Sequence, residues 1–160
     1  MVSKLPNVGT TIFTVMSALA KKHQAINLSQ GFPDFDCDPA LHQLAYKHMQ
    51  EGRNQYPPMM GVDVLLQQIA IKYKEQYGCM LEPYTDITVT AGAAEGIFSA
   101  ITTLIHPGDE VIIIDPAYDL YKPAVLLNGG IARVYSLKAP DFIVDWHAVR
   151  KMVTAKTRLI

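Results

Sequence analysis

Apolar residues recur at helical spacing in several stretches, and one of these organises the rest of the chain. It runs from Asp86 to Ile105. Residues 87–90 (Ile-Thr-Val-Thr) are all β-branched, which favours a strand, and four small residues follow at 91–94. After them, one face of a helix is marked by Ile97, Ile101, Leu104 and Ile105. The pattern therefore predicts a strand, a tight turn and a helix.

The same periodicity predicts further helices, several with recognisable end signals. They begin near Thr10 or Thr11, at Asp38-Pro39, at Val62, at Ala124 and after Asp145. Glycines are expected to end two of them, at positions 52 and 78. Prolines keep residues 54–58 out of a helix and display Tyr56 on a stiff loop. Strands are predicted at 25–28, 87–90, 110–115 and 131–137, and from residue 158 onward.

The strand at 110–115 indicates the fold class. Its core, Val111 to Ile114, is apolar on both faces, as in parallel sheets covered by helices. Alternating strands and helices then predict an α/β fold with a mainly parallel sheet and right-handed crossovers. Ligands bind such sheets past the carboxyl ends of the strands. Gly92 and Tyr118 both follow predicted strands at that position.

The turn at Gly92 is a candidate phosphate site. A helix start leaves backbone N–H groups without intrahelical partners at the positive end of the helix dipole, and small side chains let an anion approach. The alternative is an ordinary connection whose small residues only let the helix pack on the sheet. No Gly-Lys-Ser/Thr follows, and the turn is not GxGxxG, so neither a P-loop nor a dinucleotide fingerprint is present.

Composition and charge restrict the class of protein. The 160 residues are 49% hydrophobic and 18% charged with a net charge of −1, which indicates a globular protein with no nucleic-acid or anionic-membrane partner. Apolar runs are strand-sized and no secretory signal is seen. Cys37 and Cys79 are unpatterned, which predicts a reducing, cytoplasmic location. The five histidines lack HExxH or CxxC spacing, so no metal site is expected.

Four ordered blocks carry a family resemblance. They are INLSQGFPDF (26–35), NQYPPMMG (54–61), DITVTAGAAEGIFSAI (86–101) and GDEVIIIDPAYDLY (108–121). Together they resemble the class I/II aminotransferases, pyridoxal-phosphate (PLP) enzymes of fold type I, and most closely the methionine, kynurenine and glutamine-phenylpyruvate aminotransferases. The resemblance implies a large domain whose mainly parallel sheet has helices on both faces. It also implies a small-domain segment at residues 1–45, with 46–160 forming the first, incomplete part of the large domain.

The resemblance also implies roles for individual residues. The backbone N–H groups of Ala93 and Ala94, after Gly92, would hold the phosphate of PLP. Tyr118 would stack on its pyridine ring, where an aromatic face is required. Gly31 would meet the substrate carboxylate. Tyr56 would reach the cofactor phosphate of a second subunit, which implies a homodimer with shared active sites.

No catalytic residue is expected within this chain. The family's Schiff-base lysine lies in a Ser-x-Ser-Lys segment, which none of the lysines here resembles, so we expect it beyond Ile160. The implied activity is transfer of an amino group from methionine, an aromatic or a similar amino acid to a 2-oxo acid. Two alternatives stay open: a carbon–sulfur β-lyase or aminocyclopropane-carboxylate synthase, and a non-enzymatic sensor domain. A sensor would carry a basic DNA-binding domain ahead of the fold, and residues 1–11 are too short for one.

Overall fold

The computed structural model describes residues 3–31 and 33–160. It forms two compact units, which we call the helical unit (residues 13–90) and the sheet unit (residues up to 12 together with 91–160). Phe32, part of the predicted loop at 29–35, lies outside the described residues. The division into segments 1–45 and 46–160 stays a prediction.

The described residues of the helical unit contain three helices: α1 (Ile12–Lys22), which belongs to this unit from Phe13 onward, α2 (Pro39–Gln50) and α3 (Asp63–Tyr77). The end signals predicted at Asp38 and at Gly78 are confirmed. The Asp38 carboxylate accepts the Ala40 N–H at 2.8 Å and so caps α2. Gly78 ends α3 in the left-handed conformation, with φ 66°, and its N–H donates to the Lys74 carbonyl.

The strand predicted at 25–28 is wrong. Ile26 and Leu28 are almost fully exposed, and the segment that follows is organised by a polar side chain. The Asn27 side chain accepts the Ser29 N–H at 3.1 Å and donates to the Ser17 hydroxyl at 3.0 Å, which fixes the loop to α1. Local side-chain bonding of this kind replaces the ladder that a strand would need.

The strand predicted at 87–90 is also wrong, although the β-branched segment is real. Its Val89 N–H donates to the Met60 carbonyl at 2.8 Å, and Met60 belongs to a loop. Gly61 allows this approach, because a Cβ there would lie 2.7 Å from Val89 Cγ2. A strand requires a neighbouring strand as well as β propensity, and the described residues place a loop beside this segment.

The sheet unit alternates helices and strands as predicted. Its elements are α4 (Ala93–Leu104), β1 (Glu110–Asp115), α5 (Tyr121–Leu127), β2 (Ile131–Ser136), α6 (Trp146–Met152) and β3 (Thr157–Leu159). Among the described residues the strand order is β2-β1-β3, with β1 parallel to both neighbours. Glu110 aligns with Ile131 on one side and with Thr157 on the other. The predicted parallel α/β sheet is confirmed.

One apolar core holds α4 and α5 against β1. Its buried members are Ile101, Ile105, Val111, Ile113, Ala124 and Val125. Val111 and Ile113 share one face of β1, whereas Ile112 points to the other face and is only 1% exposed. Both faces of β1 are therefore covered, which explains why its central residues, 111–114, are all apolar.

Hydrogen bonds and ion pairs of charged side chains connect the amino ends of the strands. Glu110 accepts Arg133 Nη1 at 2.9 Å and the Thr154 hydroxyl at 2.8 Å, and these bonds lower the pKa of its carboxyl group. Asp109 accepts the His106 backbone N–H, the main cause of its own lowered pKa, and Arg158 adds to the effect from 3.3 Å. The two acids connect β1 with β2 and with the segment that carries β3.

Candidate functional site

The start of α4 lies at the carboxyl edge of the parallel sheet. Ile105, just after α4, lies beside Gly130 at the amino end of β2, since a Cβ on Gly130 would be 2.7 Å from Ile105 Cγ2. The 12 residues of α4 span about 18 Å, and the six of β1 span about 20 Å. Because α4 packs along β1, its first residues reach the opposite edge, where open α/β sheets bind ligands.

Gly92 gives this helix start an open shape. Its φ of 89° and ψ of 165° fall in a region that essentially only glycine occupies. A Cβ added there would meet no atom within 4 Å beyond its chain neighbours, so no other part of the chain fills that side of the turn. Ala93 and Ala94, the first two helical residues, are exposed. Their N–H groups precede the first intrahelical bonds, so the turn fits an anion such as a phosphate.

Glu95 is a part of this turn that the sequence interpretation missed. Its carboxylate accepts the backbone N–H of Ala91. An acid three residues after the N-cap was the available signal, because side chains at that position reach back to the residues before the helix. The carboxylate is thus fixed on the Ala91 side of the turn. A phosphate here would place a second negative charge in the same turn, so cationic groups from elsewhere must offset part of it.

Tyr118 stands at the same carboxyl edge, three residues after β1. Ala117, its neighbour in sequence, packs on the core that also receives Ile97 from the second turn of α4. The Tyr118 ring is half-exposed and contacts Tyr121 edge to face, with centroids 5.8 Å apart and planes at 77°. Tyr121 is not among the site residues predicted from the sequence, although two tyrosines three positions apart were the available signal. Tyr121 limits the orientations open to Tyr118.

Gly31 and Tyr56, the other two predicted contacts, belong to the helical unit. The Tyr56 side chain is fully exposed, as the prolines predict, and it helps line an open cavity of ≈ 290 Å³ with Asn54, Gln55 and Pro57. Gly31 is exposed as well, and a Cβ there would meet no atom within 4 Å. Both residues can therefore be reached by a ligand or a partner, and their roles stay predictions.

In residues 3–31 and 33–160, no three His, Cys, Asp or Glu side chains come together as a metal site. Within the same residues, no helix is both long enough and apolar enough to cross a lipid bilayer.

Known proteins resemble this chain over almost its whole length. The sequence profile of the family "Aminotransferase class I and II" matches residues 23–160. The methionine aminotransferase of Escherichia coli is 52% identical to this chain over 158 residues. The crystal structure of an Escherichia coli protein with a methionine aminotransferase function superposes with a TM-score of 0.94, covering 99% of this chain and 42% of that one. The structure of N-succinyldiaminopimelate aminotransferase from Mycobacterium tuberculosis gives a TM-score of 0.91 at 42% identity over 99% of this chain and 42% of that one.

A more distant relative agrees with these matches. The kynurenine–oxoglutarate transaminase of Dictyostelium discoideum is 36% identical over 134 residues, which is 83% of this chain and 31% of that protein. The chain spans about 41% of the length of the methionine aminotransferase that it matches. A profile match to most of the chain, together with the shared parallel sheet and the glycine turn before α4, shows that the chain belongs to the class I and II aminotransferases.

Proposed function

We propose that the protein transfers an amino group from an amino acid, such as methionine or an aromatic one, to a 2-oxo acid with the help of PLP. The observation that carries the proposal is the open glycine turn at the start of α4, placed at the carboxyl edge of the sheet. The family match and the 52% identity to a methionine aminotransferase support this reaction and this type of substrate.

In this proposal the sheet unit supplies the cofactor contacts. The N–H groups of Ala93 and Ala94 bind the phosphate, and the helix dipole adds roughly 0.3–1 kcal/mol, or up to ~2 kcal/mol where the group is partly buried. Tyr118 presents its ring to the pyridine, with its orientation limited by Tyr121. When bound, PLP supplies an electron sink for negative charge at the substrate Cα.

The helical unit supplies the remaining contacts in this proposal. Gly31 offers an unobstructed backbone to the substrate carboxylate. Tyr56, whose phenol is fully exposed, donates to the cofactor phosphate of a second subunit, so the working protein is a homodimer with shared sites. The lysine that bonds to the cofactor and moves the substrate proton is not one of these residues. We place the reaction in the cytoplasm.

Product analysis tests the proposed reaction. The full-length protein is incubated with PLP, methionine or phenylalanine, and 2-oxoglutarate, and the new 2-oxo acid is quantified. Conversion of the amino donor to its 2-oxo acid with matching formation of glutamate supports the proposal. Release of pyruvate and ammonia from a cysteine conjugate, without transamination, would indicate a β-lyase instead. Absence of any turnover, with PLP bound, would favour the sensor interpretation.

A variant of the helix start tests the cofactor site separately. Ala94→Pro removes one N–H donor at the second position of α4, where proline is still compatible with a helix's first turn. We expect weaker PLP binding with the fold retained, measured by titration of the apoprotein. An Ala100→Gly substitution, in the interior of the same helix, serves as a control for loss of helix stability alone. Unchanged PLP affinity in a folded Ala94→Pro protein would exclude this phosphate site.

A further inference from the structure

Two reactive side chains lie together at the start of α2, apart from the candidate cofactor contacts. Cys37 Sγ is 2.8 Å from His42 Nε2, and both residues are exposed. Cys37 immediately precedes the N-cap residue Asp38, and His42 is in the first turn of the helix. The short loop before α2 and the helical turn itself therefore hold the thiol against the imidazole.

This arrangement gives the thiol a proton acceptor. When His42 carries its hydrogen on Nδ1, its Nε2 is an acceptor for the thiol S–H at this distance of 2.8 Å. Negative charge that develops on the sulfur also lies at the positive end of α2, a helix of 12 residues. A base in contact with the nucleophile and a stabilising dipole are the two features that activate cysteine in proteins.

Cys79 has neither feature and provides an internal comparison. It is also exposed, but it follows the carboxyl end of α3, where the helix dipole is negative. Its backbone N–H donates to the Tyr73 carbonyl, whereas in the described part of the chain its sulfur has no hydrogen-bond partner. The two cysteines thus share exposure and differ in local chemistry.

We propose that Cys37 and His42 form a thiol modification site that reacts with low-molecular-weight disulfides to give a mixed disulfide. His42 Nε2 takes the thiol proton while Cys37 Sγ attacks one sulfur of the reagent. The new S–S bond forms as the old one breaks, and the departing thiolate receives the proton from His42. Cys37 is oxidised and the leaving sulfur is reduced, so the exchange needs no other reactant.

The neighbouring charges determine which disulfides fit. Asp34, Asp36 and Asp38 surround Cys37 in sequence and are all exposed. The Asp38 carboxylate accepts the Ala40 N–H, and the other two carry negative charge in the approach loop. A neutral or cationic disulfide is therefore preferred to an anionic one, because like charges repel at short range.

Reaction rates at the two cysteines test the proposal in the full-length protein. The probe is 4,4′-dithiodipyridine, a neutral disulfide, used at neutral pH, and the modification of each cysteine is followed by peptide mass spectrometry. We expect Cys37 to react about tenfold faster than Cys79, because only Cys37 has a base in contact that can take the thiol proton as the sulfur attacks. Cys37→Ser identifies the modified peptide.

His42→Gln should abolish the difference between the two cysteines, because glutamine cannot take the thiol proton. His48→Gln is the matched control: it makes the same change on the same helix at a histidine that contacts Glu51 instead of a cysteine, and it should leave the rate ratio unchanged. Circular dichroism confirms that both variants are folded. Equal rates at Cys37 and Cys79 in the parent protein, or a rate ratio that survives His42→Gln, would overturn the proposal.

Discussion

Gly92→Ala is the most informative single change at the candidate cofactor site. The substitution adds one methyl group, and that methyl would meet no atom within 4 Å, so a steric clash is excluded as a cause of any effect. What changes is the backbone. With φ 89° and ψ 165°, residue 92 adopts a conformation that costs a non-glycine residue on the order of 1–3 kcal/mol.

The strain can be expressed in two measurable ways. If the turn keeps its conformation, the free energy of unfolding falls by the strain energy. If residue 92 instead relaxes toward ordinary β geometry, the N–H groups of Ala93 and Ala94 turn away and PLP affinity falls. An energy of 1–3 kcal/mol corresponds to about 5–150-fold in a binding constant. The two losses together should therefore account for 1–3 kcal/mol, however they are divided.

Urea unfolding of the full-length apoprotein gives the first quantity, and titration with PLP gives the second. Gly78→Ala is a matched control, because residue 78 has φ 66° and ψ 12° with equally empty surroundings, but it ends α3 in the other unit. It should lose roughly 1–2 kcal/mol of stability with no change in PLP affinity. If Gly92→Ala alters neither quantity by more than about 0.5 kcal/mol, the role assigned to this turn is wrong.

Four further outcomes are expected. Tyr118→Phe should keep PLP affinity in a fluorescence titration, whereas Tyr118→Ala should lose roughly 0.5–1.5 kcal/mol beyond the lost contact area, and equal affinities would exclude ring stacking. Glu110→Gln should reduce the loss of stability that the protein shows as the pH falls. A carboxyl group whose pKa is lowered by folding stabilises the fold at a pH above its ordinary pKa of 4.5, and this stabilisation is lost as the pH falls through the pKa of the folded state. Urea unfolding midpoints measured across acid pH would show the difference. Mixing Tyr56→Phe with a variant lacking the Schiff-base lysine should restore activity through hybrid dimers, and no recovery despite proven subunit exchange would contradict shared sites. The 160-residue chain alone should produce no more 2-oxo acid than free PLP does, because none of its lysines lies in a Ser-x-Ser-Lys segment; clear turnover would reveal a catalytic lysine within it.

The helices could be predicted because their signals are local. Asp38 before Pro39, Gly78 and Asp145 each form the cap that their positions suggest, and these bonds involve residues only a few positions apart. The apolar run in β1 was sufficient for the same reason, since the consecutive apolar residues Val111, Ile112 and Ile113 are all buried. The parallel sheet then follows from the alternation of elements.

The strands predicted at 25–28 and 87–90 failed because a strand depends on its neighbour. β-branched residues report a preference for extended backbone, and segment 87–90 does bond through Val89, but to a loop. Contacts between side chains on neighbouring strands also cannot be predicted from local sequence. Arg133 and Glu110 are 23 residues apart, and their ion pair depends on the register between β1 and β2.

The candidate site could be predicted from the sequence only where a single residue type determines the backbone conformation. A glycine before a helix indicates an unusual backbone conformation, and Gly92 has one. Glu95 and Tyr121 were missed because their roles lie in the direction of a side chain: toward Ala91 in one case and toward the Tyr118 ring in the other. Neither direction is encoded by spacing alone.

The two edges of the sheet carry different kinds of residue, and this separation bears on how the protein can evolve. Ion pairs of Glu110 and Asp109 join the strands at their amino ends, while the glycine turn and Tyr118 stand at the carboxyl edge. Substitutions at the carboxyl edge leave these ion pairs intact, because the paired side chains lie at the other edge. Stabilising changes at the amino edge can in turn compensate for destabilising ones at the other. The carboxyl edge of the sheet can therefore change in sequence while the amino edge that supports it is selected on separate grounds.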